Sequence, residues 1–151
     1  MWIPVCWPER ERIRLLPQLR REDARGRIMS KTFVLLWMLF NHVLDDYFLQ
    51  GCLANMKQRD WWKTNYPDNK YKYDYIVALF MHSLSWSFMI MLPIATFFSF
   101  NIDSFFFFMF FANTVCHMCV DDAKANDKVI NLNQDQFAHI VQIIWTWFLC
   151  L

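Results

Sequence analysis

Residues 33–50 read FVLLWMLFNHVLDDYFLQ. This run is apolar except at Asn41, His42, Asp45 and Asp46, up to Gln50. A helix that crosses the hydrocarbon core needs about 20 such residues. Within it, His42 and Asp46 stand four apart, which places both side chains on one helix face, one turn apart. Ionisable groups in such a segment are costly in lipid, and their default reading is functional.

Three further apolar stretches follow, over Tyr75–Phe98, Phe105–Val120 and Phe137–Leu151. Lone backbone polar groups are expensive in hydrocarbon, so helices are the expected spanning form. The fold expected is therefore all-α: a membrane-embedded four-helix bundle of up-down topology over residues 29–151. The connections are a long segment Gln50–Asp74, a tight turn Ser99–Ser104 and a loop Asp121–Gln136. Pro93 should bend the second helix, and the Phe-rich run 105–111 reads as a lipid-facing surface. Trp61, Trp62 and Tyr66, Tyr71, Tyr73 and Tyr75 read as an interfacial aromatic belt.

Composition agrees with a membrane protein. Of 151 residues, 56% are apolar and only 19% charged, against about 25% charge in soluble domains. Sixteen Phe, eight Trp and two Gly argue against a soluble enzyme with a loop-built site. A net charge of +1 gives no electrostatic reason to expect nucleic acid. Five scattered cysteines exclude a disulfide framework and suit buried, reduced thiols. Cys116-His117-Met118-Cys119 carries one CxxC without a second pair, which reads as packing.

Residues 1–28 differ from the rest. They hold seven of eight arginines and all three glutamates, but no Lys, Phe, Asn or His. This segment reads as a basic arm on anionic headgroups or as sequence upstream of a start at Met29, with the second reading favoured. It has no apolar core of a secretory signal, and Pro4, Pro8 and Pro17 interrupt it.

The polar residues inside the apolar stretches carry the functional signal. His42 and Asp46 are four apart, His117 and Asp121 are four apart, and Asp135 and His139 repeat the spacing in reverse order. Three of four histidines meeting Asp at this spacing has a chance probability on the order of one or two per cent. In an up-down bundle His42, His82, His117 and His139 all fall about 8–12 Å below one membrane face. The expectation is one cluster of four imidazoles and at least three carboxylates in the bundle core, the way bundle metal sites are built. Candidate ligands are His42, Asp46, His82, His117, Asp121, Asp135 and His139. Imidazole with carboxylate suits Zn²⁺, and also Mn²⁺ or Fe²⁺. Asp45 and Asp122 read as headgroup-level surface charges, and Asn41 and Asn113 as helix caps or glue.

These residues resemble a family of small bacterial and phage membrane proteins, domain-of-unknown-function family 3307. His42-x3-Asp46-x2-Leu49-Gln50 is similar to its opening signature, and His82 to its second-helix histidine. His117-x3-Asp121-x2-Lys124 and Asp135-Gln136-x2-His139 are similar to its third and fourth signatures. The resemblance covers about residues 33–148. Asp45 stands where a small residue is usual and Asp122 where an apolar or aromatic one is usual, so this site is the more acidic. The pattern also resembles membrane-bound metal-dependent hydrolases, which implies hydrolysis of a lipid-linked phosphate or ester through metal-activated water. Asp46, Asp135 and Lys124 are the catalytic candidates, with Lys124 facing a substrate phosphate as a point charge.

Three other classes compete with this reading. An ion transporter would need a polar path to the far side, where only Asn101 and Asp103 lie. A bis-histidine haem bundle would need fewer carboxylates and more small residues. A non-catalytic membrane factor, such as a phage protein modifying a host complex, is the main alternative. Orientation follows from positive charge. Lys57, Arg59, Lys63, Lys70, Lys72, Lys124 and Lys128 lie in the site-side loops, against Lys31 alone on the other side if translation starts at Met29. With that start, the expectation is a bacterial-type inner membrane with the cluster facing the cytoplasm.

Overall fold

The computed structural model describes residues 31–151, and the expected arm 1–28, Cys6 and the Met29 start lie outside them. Every regular element among the described residues is helical. Helix α1 covers residues 31–44 and continues as a wider π turn over Asp45–Leu49, closed by Gln50 N–H donating to the Asp45 carbonyl at 3.0 Å. Two short helices follow, α2 (Leu53–Met56) and α3 (Arg59–Asn65), and then a 3-10 turn, Asn69–Tyr71. The long helices α4 (Asp74–Phe97), α5 (Ser104–Ala125) and α6 (Leu132–Cys150) complete the chain.

Residues Val34–Leu151 form one compact unit. Its apolar core joins Val34 and Met38 of α1, Trp86, Ile90, Met91 and Ile94 of α4, Met109 of α5 and Ile143 of α6. The four expected apolar stretches are therefore helices that share a core. Two helical segments, Asn69–Phe97 and Ser104–Ala125, are long and apolar enough to cross a membrane.

Local chemistry sets the helix ends. The Asp103 carboxylate accepts from the Phe106 N–H at 2.9 Å and starts α5. Asn131 and Gln134 exchange side-chain and backbone hydrogen bonds, both 3.0 Å, in a capping box that opens α6. That box corrects the expected Asp121–Gln136 loop. α5 runs on to Ala125 and α6 begins at Leu132, so only residues 126–131 connect them. Between α4 and α5, Ser99 and Phe100 take left-handed φ values of 52° and 60°. The Phe100 N–H closes on the Ala95 carbonyl at 2.7 Å, which ends α4 and reverses the chain.

Pro93 lies inside α4 without ending it. Proline has no N–H, so the carbonyl one turn earlier, Met89, loses its helical partner. Asn41 of α1 donates Nδ2–H to that carbonyl at 2.7 Å. Asn113 performs the other expected gluing role: its Oδ1 accepts from Gln142 Nε2 at 2.8 Å and Thr146 Oγ1 at 3.0 Å, tying α5 to α6. Asn41→Leu is expected to cost about 1–3 kcal/mol, because it strands a buried carbonyl. In a Pro93→Ala background the new N–H takes over the Met89 carbonyl, and the cost of Asn41→Leu should shrink by at least half. Thermal melts of the four proteins in detergent measure this coupling; additive losses would contradict it.

Apolar and polar side chains share the interior, and apolar ones also cover much of the outside. Among the described residues twelve apolar and thirteen polar or charged side chains are buried. Large apolar side chains meanwhile cover the outer faces, including Phe40 on α1, Phe88 on α4, Phe107, Phe108 and Phe111 on α5, and Phe148 on α6. Cys52, Cys116 and Cys119 are free and exposed. This corrects the expectation of buried thiols: Cys116 and Cys119 flank His117 on α5 but occupy its outer face, while His117 points inward.

Candidate metal centre

Helix periodicity brings the site together. His42 on α1, His82 on α4, His117 on α5 and His139 on α6 are each buried, with no more than 3% of their surface exposed. Their rings meet: His117 stacks on His139 with centroids 4.1 Å apart, His82 lies 5.1 Å from His117, and His42 lies 5.7 Å from His139. The i,i+4 carboxylates arrive on the same faces. Asp46 Oδ1 is 3.4 Å from His82 Nε2 and 3.9 Å from His117 Nε2. Asp121 Oδ2 is 3.3 Å from His82 Nε2 and 3.8 Å from His117 Nε2. Asp135 Oδ1 is 3.4 Å from His139 Nε2, and Asp121 Oδ1 is 3.6 Å from the same atom.

Four of these six separations match those of ligands around a tetrahedral ion, and two are slightly longer. Protein ligands at about 2.0–2.2 Å from a tetrahedral ion stand about 3.3–3.6 Å from one another. His82 Nε2 and His117 Nε2, 3.2 Å apart, are faced by Asp46 at one position and by Asp121 at another. Two sets of mutually close donors emerge, Asp46–His82–His117 and His117–Asp121–His139, and His117 belongs to both. Each supplies three ligands, the number that leaves a position open in catalytic sites. His42 and Asp135 fall outside both sets. His42 Nδ1 instead accepts from Trp86 Nε1–H at 2.8 Å, which leaves its Nε2–H to donate to Gln136 Oε1 at 3.2 Å.

The donor chemistry fits a divalent cation. Buried polar groups are ordinarily hydrogen-bonded. Here Asp46 Oδ1, Asp135 Oδ1, His82 Nδ1, His117 Nδ1 and both His139 nitrogens are buried without a hydrogen-bond partner. Of four carboxylates in the cluster, Asp45, Asp121 and Asp135 buried and Asp46 nearly so, two pair with ammonium groups, Asp121 with Lys57 and Asp135 with Lys124. With neutral imidazoles two negative charges remain, and buried charge of this kind is paired or coordinates metal. The buried His and Asp groups can thus hold a metal ion.

Several neighbours were not legible as site residues. Asp45 is the clearest correction: it is 1% exposed, not a surface charge. Its Oδ1 accepts from Ser85 Oγ–H at 2.8 Å, and its Oδ2 faces His82 Nδ1 at 3.7 Å. Asp45 and Asp46 thus lie on opposite sides of one imidazole, Asp46 toward Nε2 and Asp45 toward Nδ1, where an outer carboxylate of a ligating histidine stands. Consecutive residues on a regular helix diverge by about 100°, and the π turn that begins at Asp45 is where this pair converges. Asp122 is 30% exposed and pairs with Arg59 at 3.3 Å.

Lys57 also went unforeseen. Its ammonium donates to Asp121 Oδ2 at 2.6 Å with only 12% of the side chain exposed. A clip between distant segments puts it there: Arg59 N–H donates to Asn126 Oδ1 at 2.7 Å, and Asn126 Nδ2–H returns a bond to the Lys57 carbonyl at 3.0 Å. Outside the helices of the site, Lys63 and Lys128 beside Asp60 hold its carboxyl below the ordinary carboxylate range. Lys124 does not stand free for a substrate; its Nζ meets Asp135 Oδ2 at 2.5 Å, with one third of the side chain exposed. Trp86, fully buried, stacks on His117 at 4.1 Å. The sequence did hold one signal for it, since Trp86 lies one turn beyond His82. Gln50 donates from its amide to the Asp46 carbonyl.

Cations and amides therefore ring one side of a His–Asp cluster that four helices supply. The chain matches no protein-family model, no curated protein and no solved structure.

Proposed function

We propose that this chain is a metal-dependent hydrolase embedded in a membrane as an up-down four-helix bundle, acting on a lipid-linked phosphate or ester at the interface. The observation that carries the proposal is the pair of three-donor sets that share His117, buried among orphaned imidazole and carboxylate atoms. Family 3307 is the proposed kinship, on the strength of one histidine in each of α1, α4, α5 and α6. The membrane reading is supported by outer faces covered with large apolar side chains. By the distribution of Lys and Arg, the proposed setting is a bacterial-type inner membrane with the site toward the cytoplasm.

Asp46, His82 and His117 would hold an ion at one position and His117, Asp121 and His139 at the other, with Zn²⁺ favoured and Mn²⁺ or Fe²⁺ compatible. When bound, it supplies Lewis acidity and an activated water at neutral pH. The chain supplies the rest. Asp135 Oδ1 has no hydrogen-bond partner and takes a proton from the attacking water, while Lys124 on Oδ2 orients the carboxylate. The water oxygen bonds to phosphorus or to the acyl carbon, the ester bond breaks, and the leaving oxygen takes the proton from Asp135.

The test is hydrolysis of short-chain phospholipids by the purified protein before and after chelation. Chelation is expected to lower turnover at least about 100-fold, and added Zn²⁺, Mn²⁺ or Fe²⁺ to restore it. Turnover that survives chelation, or no hydrolysis of any ester in the panel, would contradict the proposal.

A further inference from the structure

A second concave site lies between α3 and the start of α4. It encloses about 570 Å³, within the roughly 300–1,000 Å³ of small-ligand sites. None of the His–Asp cluster lines it. Its floor is aromatic: ring centroids of Trp62 and Tyr66 are 5.5 Å apart, and those of Tyr66 and Tyr71 5.3 Å. Trp62 is anchored by Nε1–H donating to the Met56 carbonyl at 2.5 Å, so the floor is fixed in place.

The walls are cationic. Arg59, Lys63 and Lys72 line the cleft against one carboxylate, Asp68. Asp68 is already engaged, accepting from the Lys70 N–H at 3.1 Å and pairing with Lys70 Nζ at 3.8 Å. Lys63 pairs with Asp60, and Arg59 with Asp122 and Asp127. Lys72 lies over the Tyr73 ring at 5.2 Å and has no carboxylate partner among the described residues. An unpaired ammonium above aromatic faces selects an anion attached to a ring whose C–H face can stack. A quaternary ammonium, which aromatic cages otherwise favour, would be repelled by these cations.

We propose that this cleft binds a phosphorylated sugar headgroup, with the sugar ring on the aromatic floor and the phosphate at Lys72. Resting on the hydrolase reading, it is the recognition subsite for the lipid cleaved at the His–Asp centre. The two share a frame, since Arg59 on the cleft wall holds Asp122, the neighbour of Asp121. The shared chemistry, a phosphate ester on a cyclic polyol, could come from a lipid headgroup such as that of phosphatidylinositol or from a free sugar phosphate, and the test separates the two.

Calorimetric titration of the full-length protein in detergent uses dihexanoyl phosphatidylinositol, glucose 1-phosphate, inorganic phosphate and methyl glucoside. The first two, or glucose 1-phosphate alone, are expected to bind at least about tenfold more tightly than the last two. Lys72→Gln and Tyr73→Ala, both at exposed positions, should each weaken that binding about tenfold. Tighter or equal binding of the lipid assigns the site to a membrane headgroup, and tighter binding of glucose 1-phosphate supports the phosphate cleft but overturns its role as the lipid subsite of the His–Asp centre. Binding of neither, inorganic phosphate as tight as sugar phosphate, or unchanged affinity in Lys72→Gln overturns it. His117→Ala should keep headgroup binding while losing metal. Failure of hydrolysis with binding intact thus counts against the hydrolase reading alone, and loss of binding with metal intact against the cleft alone.

Discussion

Lys57→Met is expected to destabilise the metal-free protein by about 3–5 kcal/mol, the cost of breaking a buried ion pair from one side. Lys57 is the cation that Asp121 holds at 2.6 Å, and Asp121 is 3% exposed. Methionine keeps the length of the stem and removes the charge, so Asp121 is left buried and uncompensated. Metal should offset this loss. The cluster then carries one more negative charge, and the ammonium no longer occupies Asp121 Oδ2. A divalent ion should therefore raise the melting temperature of Lys57→Met by more than that of wild type, since a ligand stabilises in proportion to its affinity for the folded state. Thermal melts with and without Zn²⁺ check both halves. A variant as stable as wild type without metal, or one that gains less from Zn²⁺ than wild type, would show that Lys57 is not the counter-charge of the centre.

The second large effect concerns Asp135. Asp135→Asn keeps shape and the Gln136 and Lys124 side of the group, but cannot accept the proton of the attacking water at Oδ1. A positioned general base contributes about 10²–10⁴-fold, so turnover should fall by that factor while bound metal stays near the wild-type level. Asp135 stands outside both three-donor sets, which is why the two readouts separate. Loss of metal in step with loss of turnover would make Asp135 a ligand. Unchanged turnover would remove it from the chemistry.

Much of this architecture is legible in the sequence, for identifiable reasons. Helices are local, so the apolar stretches around Phe33–Leu49, Tyr75–Phe98, Phe105–Val120 and Phe137–Leu151 each became helix with ends shifted by a few residues. The i,i+4 pairs His42–Asp46, His117–Asp121 and Asp135–His139 depend only on helix pitch, and all three meet in space at 3.4–3.8 Å. What stayed hidden depends on non-local or irregular geometry. Lys57 reaches Asp121 across 64 residues through the Asn126 clip. Asp45 faces inward beside Asp46 at a π turn, which no regular periodicity encodes. The Asn41 bond to the Met89 carbonyl needs Pro93 on one helix and an amide at the matching height on another. Exposure of the cysteines went unread because an apolar stretch does not say which of its faces turns outward.

Elemental analysis of the protein purified in detergent without chelator, wild type beside His117→Ala, decides whether the His–Asp cluster holds a metal. His117 belongs to both donor sets, so its loss should weaken binding beyond the roughly 10–100-fold that removal of an outer hydrogen-bond partner costs. The account predicts a stoichiometric divalent transition metal, zinc above manganese or iron, in wild type and none in the variant, with helical circular dichroism preserved in both. A wild-type protein that holds no metal even after incubation with Zn²⁺, or equal metal in the two proteins, would contradict it.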